Sequence, residues 1–183
     1  MKDYIKIARV DHWIKQLFIV PGMIFAIFLV KDVNLASVIP DIILAFISTC
    51  FVASANYVIN EWLDAEFDKY HPTKKNRPVV SGRLKFHWVM TEYLVLGALG
   101  LIISWFVSMP VFLMELWLFI MGILYNVKPF RTKEIPYIDV LSESVNNAIR
   151  LLIGWFSISS FYLPPISIVL GYWMGGAFLM ATK

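Results

Sequence analysis

The sequence is short of charge. Asp, Glu, Lys and Arg make up 16% of its 183 residues and hydrophobic residues 59%, with a mean hydropathy of +0.69. A soluble domain carries about 25% charged and about 45–50% apolar residues, so a soluble globular domain is excluded and an integral membrane protein is left. Cysteine occurs once, at Cys50 in an apolar run. That excludes an intrachain disulfide and leaves a small buried hydrophobe. The three histidines, His12, His71 and His87, are scattered, which gives no imidazole metal cage, and no Ser/His/Asp or Cys/His nucleophile set is legible. Low-complexity tracts, a separate soluble domain and internal repeats are also missing. So is a cleavable leader: residues 1–16 are polar and mixed in charge, and no small-residue cleavage site follows the first apolar run. That run is therefore expected to remain as a helix.

What is present is a series of apolar runs. A bilayer core of about 30 Å needs about 20 mostly apolar residues in a helix. Stretches at 16–31, 38–60, 87–108, 110–127, 137–157 and 166–182 qualify. Pro40, Pro110, Pro136 and Pro164-Pro165 lie near span boundaries, and Pro21-Gly22 falls inside the first span, which membrane helices tolerate when neighbours satisfy the freed carbonyls. The expected fold class is all-α, a single membrane domain over 1–183 built as a multi-pass transmembrane helical bundle. On this span order fourteen of the sixteen Lys and Arg fall on one side, including Lys183 at the end of the sixth span. Lys31 stands alone opposite, and Arg150 lies within the fifth span. The excess of Lys and Arg in cytoplasmic links places the N-terminus and both basic links in the cytoplasm. Trp13, Trp62, Trp88 and Trp173 then read as interfacial aromatics, and Glu92 and Glu115 as acids near opposite ends of their spans.

At the inner end of span two the chain runs N60-E-W-L-D-A-E-F-D-K-Y-H-P-T-K-K-N-R-P78. Asn60, Asp64 and Asp68 recur every fourth residue, so on a helix each step drifts by about 40° and climbs about 6 Å. Carboxylates stacked on one face repel each other, and helix formation alone does not favour them. A hard divalent cation relieves that repulsion: Mg²⁺ takes oxygen ligands and is usually held by one or two carboxylates together with substrate phosphates. Glu61 and Glu66 point elsewhere on the same helix and read as solvated. His71-Pro72 ends the helix, and Lys74, Lys75 and Arg77 follow in a short loop. Acids that hold a metal beside a basic loop suit a diphosphate. The plainer reading, a basic anchor on anionic headgroups, accounts for the lysines but not for the acids.

The pattern N60-xxx-D64-xxx-D68, followed by K-x-x-R-P and S81-G82, resembles the first aspartate-rich motif of the UbiA family of intramembrane polyprenyl transferases. The wording D68-K-Y-H-P-T-K-K-N-R-P-V-V-S-G82 resembles the branch that moves phosphoribosyl from phosphoribosyl diphosphate to a polyprenyl phosphate. R9-V-D-H-W-I-K15 is similar to that branch's entry to span one, and Y137-I-D-V-L-S-E-S-V-N-N-A-I-R150 to its fifth span. Val10, Asp11 and Gln16 depart from the pattern, which argues against a role for Gln16, and Glu61 stands where Asp is usual. The resemblance implies Mg²⁺ as cofactor, held by Asn60, Asp64 and Asp68. It implies Asp64, Asp68 and Asp139 as catalytic acids, and Lys15, Asn60, Lys74, Lys75, Arg77, Lys128 and Arg150 as substrate-binding residues. The implied partners are the lipid bilayer, a polyprenyl phosphate or polyprenyl diphosphate, and phosphoribosyl diphosphate, with no nucleic acid. The family has about nine spans, and six are expected here, so the chain reads as a fragment.

Asp139, Glu143, Asn146 and Arg150 form one stripe along span five, with Asn147 beside it. Ionisable residues at membrane depth normally face a bundle interior or a wet cavity. The stripe is either the far wall of a reaction cavity, with Arg150 reaching a phosphate, or an internal ion pair of Arg150 with Glu143 or Asp139. Asp139 is the preferred functional acid because it sits at the cytoplasmic mouth. Three functions compete: a Mg²⁺-dependent transferase of phosphoribosyl or prenyl groups, a cation transporter using the acidic stripe, and a non-catalytic fragment. A transporter leaves the basic loop beside the acids unexplained.

Overall fold

The computed structural model describes residues 2–182; Lys183, counted above with the cytoplasmic cations, lies outside them. The described residues form helices and connecting turns. In chain order these are α1 (Lys2–Ile7), a 3-10 segment (Val10–Ile19), α2 (Val20–Leu29), α3 (Leu35–Asp68), α4 (Phe86–Val107), α5 (Met109–Asn126), α6 (Ile138–Phe156) and α7 (Ile166–Ala181). This is the all-α bundle expected.

Among the described residues four helical runs are long and apolar enough to cross a membrane: Lys2–Leu29, Leu35–Asp68, Phe86–Val107 and Met109–Asn126. α6 carries Asp139, Glu143 and Arg150 over its 19 residues, and α7 has only 16 residues. Those two expected spans are therefore a helix with a polar stripe and a short helix rather than full apolar lengths. The first span differs in kind from expectation. A ten-residue 3-10 segment precedes α2, far longer than the three or four residues at which such runs usually stop, and it is entered through Arg9 in the left-handed region (φ 48°). Pro21 takes a first-turn position of α2, where its missing N–H costs nothing. The second span is one helix of 34 residues with Pro40 near its start, as expected. At 1.5 Å per residue it is about 51 Å long, so one end overruns the bilayer. The turn between α4 and α5 is set by Ser108, whose hydroxyl accepts from Val111 N (3.3 Å) and caps α5.

α3 packs on α4 and α5, while α6 packs on α2, α5, α7 and the 3-10 segment. The α2–α6 crossing is made by two glycines. A Cβ on Gly22 would lie 1.9 Å from Leu151 O, and one on Gly154 would lie 1.9 Å from Ile19 O. The helices touch backbone to backbone there, as small residues allow in membrane bundles. The main apolar cluster surrounds the crossing, with Ile19, Met23, Ile149, Ile153 and Trp155 all buried. Trp13 and Trp173, expected as interfacial aromatics, also bridge helices. Trp13 Nε1 donates to Ser54 Oγ (2.9 Å) and Trp173 Nε1 to Ser144 Oγ (3.0 Å), each tying two helices together. Glu115, expected as an interfacial acid, is instead closed off inside the bundle. It is fully buried between α5 and α3 and accepts from Thr49 Oγ1 (2.5 Å) and Ser48 Oγ (3.1 Å), because those two hydroxyls on α3 give it a polar seat. Cys50 is a buried free thiol, as expected.

Gly154→Ala forces α2 and α6 apart. It is expected to lower stability by about 1–3 kcal/mol, the range for overpacking. Gly171→Ala, which meets nothing within 4 Å, should stay within about 0.5 kcal/mol of wild type. Thermal unfolding in detergent compares the two; equal midpoints would remove the crossing as a constraint.

Candidate functional site

The helices enclose a cavity of about 1110 Å³ between the 3-10 segment, α3, α5, α6 and α7. Each wall has a distinct chemistry. The 3-10 segment and the turn before it supply Arg9, His12 and Lys15. α3 supplies Asn56, Tyr57, Asn60 and Asp64. The basic loop after α3 brings Lys74 and Arg77, and the loop after α5 brings Lys133. Glu143, Asn146, Asn147 and Arg150 come from α6, and the α7 wall is small and apolar, with Gly171, Gly175, Gly176, Phe178 and Leu179. One end of the cavity is thus strongly basic around a single carboxylate, its depth is polar, and one side is greasy.

The sequence spacing correctly puts Asn60, Asp64 and Asp68 on one continuous helix, but their partners come from two loops. Asp64 Oδ1 accepts from Arg131 Nη2 (3.1 Å) and from Lys133 Nζ, both in the α5–α6 loop. Asp68 is nearly buried at 4% exposure. It pairs with Arg77 (2.5 Å) and more loosely with Lys74 (3.9 Å) from the α3–α4 loop. Asn60 Nδ2 donates to Asn126 Oδ1 (2.5 Å), and that same oxygen takes a bond from Lys133 Nζ (2.8 Å). Asn126 is held in turn by its own Nδ2 donating to Gly122 O (2.9 Å). Burial pushes the Lys133 ammonium below its ordinary pKa, and the Asp64 carboxylate opposes that shift. Glu61 is not solvated as expected: it is 3% exposed and faces Arg9 at 3.6 Å. Glu66 is exposed.

Of the other candidates, Lys15, Asn60, Lys74, Arg77 and Arg150 line the cavity. Lys75 and Lys128 are exposed and do not. Asp139, preferred among the acids of its stripe, also lies off the cavity lining. Its carboxylate accepts from Val140 N (2.7 Å) in the first turn of α6, and Glu143 takes the cavity position instead. The internal ion pair is not formed: among the described residues neither Asp139 nor Glu143 reaches Arg150. Arg150 instead donates from Nε to Gln16 Oε1 (2.8 Å) and from Nη1 to Asn146 O (3.1 Å).

Arg131, Lys133 and Asn126 were missed as site residues because their partners on α3 are more than sixty positions away. The run K128-P-F-R-T-K133 carries the signal, but the sequence reading takes only Lys128 for substrate and Arg131 and Lys133 for topology. Gln16, set aside as a departure from pattern, is fully buried on Arg150.

The donors present suit a hard divalent ion. Asn60, Asp64 and Asp68 offer oxygen ligands only. Among the described residues no three His, Cys, Asp or Glu side chains cluster closely enough to hold a metal alone, so the remaining ligands would be water and substrate oxygens.

The profile of the UbiA prenyltransferase family matches residues 18–182. The chain is 32% identical over 104 residues to the decaprenyl-phosphate phosphoribosyltransferase of Mycolicibacterium smegmatis, covering 57% of this chain and 33% of that protein. It is 29% identical over 157 residues to the enzyme of the same name from Corynebacterium glutamicum, covering 82% and 44%. The fold superposes with a TM-score of 0.81, at 22% identity, on a UbiA homolog from Archaeoglobus fulgidus bound to GPP and Mg²⁺, covering 97% of this chain and 61% of that one. The chain thus spans less than half the length of either curated relative. With four helices apolar enough to cross a bilayer and the family profile matched along almost the whole sequence, this integral membrane protein belongs to the UbiA prenyltransferase family.

Proposed function

We propose that the cavity cleaves a diphosphate at its basic end and transfers the group so released to a polyprenyl lipid, with phosphoribosyl diphosphate as donor and a polyprenyl phosphate as acceptor. The observation that carries this reading is the chemistry of the lining. Arg9, Lys15, Lys74, Arg77 and Lys133 line it together with Asp64, and amides and Tyr hydroxyls, rather than aromatic faces alone, complete the lining. Such a lining suits a charged sugar. The two curated relatives described above carry the corresponding name.

In this reading Asn60, Asp64 and Asp68 hold Mg²⁺, which when bound neutralises the leaving diphosphate. Asp64 and Asp68 would hold the ion in place of their arginine and lysine partners. Arg77, Lys74, Arg131 and Lys133 would then be available to the diphosphate oxygens. The C1–O bond of the ribose breaks with its electron pair leaving on the diphosphate, and an oxygen of the lipid phosphate forms the new bond to C1. The chain supplies no covalent nucleophile; its contribution is positioning and charge stabilisation. The N-terminus and both basic loops lie on the cytoplasmic side, where a water-soluble donor is met.

A second reading is favoured by the apolar α7 wall and by the neighbour bound to GPP: transfer of a prenyl group from its diphosphate to an aromatic acceptor, at the same metal site. The deciding experiment incubates the protein in lipid with labelled phosphoribosyl diphosphate and a polyprenyl phosphate, with and without Mg²⁺. Metal-dependent label in the lipid phase is expected; label that stays in the aqueous phase, together with prenyl transfer to an aromatic acceptor, would replace the first reading by the second.

Asp64→Asn and Asp68→Asn should each abolish Mg²⁺-dependent diphosphate release while the protein still folds. Wild-type turnover of either variant at limiting Mg²⁺ would remove that residue from the ligand set. Arg77→Lys keeps the charge but loses the planar fork. Membrane insertion and expression should be unchanged, while kcat/KM falls by the equivalent of about 1.5–3 kcal/mol, the scale of a hydrogen bond to a charged group. Unchanged kinetics would return the basic loop to the role of a topological anchor.

A further inference from the structure

The cavity holds a second cationic centre that the diphosphate end does not use. Arg150 sits on α6 about 16 Å of helix rise beyond Asp139. At that depth a charge normally has a partner. Among the described residues no carboxylate comes within ion-pairing distance of its guanidinium. Glu143, on the same wall, meets Tyr125 OH instead (3.4 Å), and Glu115 is occupied by Ser48 and Thr49.

Two bonds fix the guanidinium, Nε to Gln16 Oε1 and Nη1 to Asn146 O. Three of its five N–H groups have no protein partner, and Arg150 lines the cavity beside Asn147 and Tyr57. Gln16 lies behind it, fully buried and off the cavity lining. Gln16 is therefore a positioning residue: it holds Nε and leaves the outer nitrogens free. An amide at this position orients the guanidinium without neutralising it, whereas a carboxylate would do both.

We propose that Arg150, positioned by Gln16, is the anion subsite for a phosphate monoester, separate from the Asp64–Asp68 diphosphate end. The shared chemistry is a dianionic phosphate taking the planar fork of an arginine. Two sources fit, the phosphate on the sugar of the donor and the headgroup phosphate of the lipid acceptor. Tyr57, which lines the same cavity from α3, lies seven residues from Asp64, roughly 10 Å along the helix. That separation suits either a donor phosphorylated at both ends or a donor and acceptor meeting head to head. The inference rests on the reading that the cavity takes phosphorylated substrates.

The test is thermal stability of the purified protein in detergent, titrated separately with ribose 5-phosphate, with a short-chain isoprenyl monophosphate, and with ribose and the isoprenol as phosphate-free controls. Inorganic diphosphate with Mg²⁺ reports on the other end. Wild type should be stabilised by one or both monophosphates and by neither control. A response to ribose 5-phosphate alone assigns the subsite to the donor; a response to the isoprenyl monophosphate alone assigns it to the acceptor. Arg150→Gln should weaken that binding about tenfold or more and leave the Mg²⁺-diphosphate response intact. Gln16→Glu supplies the missing counter-ion in place. It should raise the midpoint of the ligand-free protein and also lose the monophosphate response, and it carries the test alone should Arg150→Gln not fold. No response of wild type to either monophosphate, equal responses to the phosphate-free controls, or wild-type binding by Gln16→Glu would overturn the proposal. A missing Mg²⁺-diphosphate response in wild type would instead count against the proposed transferase reading and leave this subsite standing.

Discussion

The contact on which the rest depends is the crossing of α2 and α6 at Gly22 and Gly154. Each glycine lies where a side chain would strike a backbone carbonyl of the other helix. Nothing bulkier lets the two axes come so close. Because α6 carries a polar stripe it cannot lie freely in lipid, and this crossing is what seats it inside the bundle. The same contact brings the 3-10 segment onto α6, and only then does Gln16 reach Arg150. Once these elements are packed, the polar faces of α3 and α6 look at each other across a space that side chains do not fill.

Charge balance at the mouth of that space is the second organising principle. In the structure each aspartate is satisfied by cations from a different loop, Asp68 by Arg77 and Lys74, Asp64 by Arg131 and Lys133. Acids stacked along one face repel, and these pairs relieve the repulsion in the absence of a metal. In the proposed reading the same groups would serve a metal and a diphosphate by exchanging partners, a divalent cation taking the carboxylates and the phosphates taking the arginines and lysines.

Membrane depth gives the remaining polar residues their meaning. Glu115 lies deep in the bundle but is closed off by two hydroxyls on α3, and it works as a joint between helices. Arg150 has no such closure and borders open space. The contrast follows from the neighbours: Ser48 and Thr49 offer hydroxyls that turn toward a carboxylate, while the surroundings of Arg150 offer one amide and one carbonyl.

The sequence by itself determined the helical membrane class, because few charges and long apolar runs admit little else. It also determined the aspartate face at the inner end of α3, because a spacing of four residues puts Asn60, Asp64 and Asp68 together on any helix, whatever surrounds it. Periodicity is a local property and survives without the fold. Tertiary structure alone decided which cation meets which acid, because the partners of Asp64 lie on another helical hairpin and nothing in the local pattern of K128-P-F-R-T-K133 separates a topological anchor from a ligand. It decided likewise that Glu143 rather than Asp139 borders the cavity, since α6 begins at Ile138 and the first turn uses Asp139 for its own backbone. The position of Gln16 against Arg150 was the least legible of all, for it depends on two glycines in two distant helices allowing a contact that no single stretch of sequence encodes.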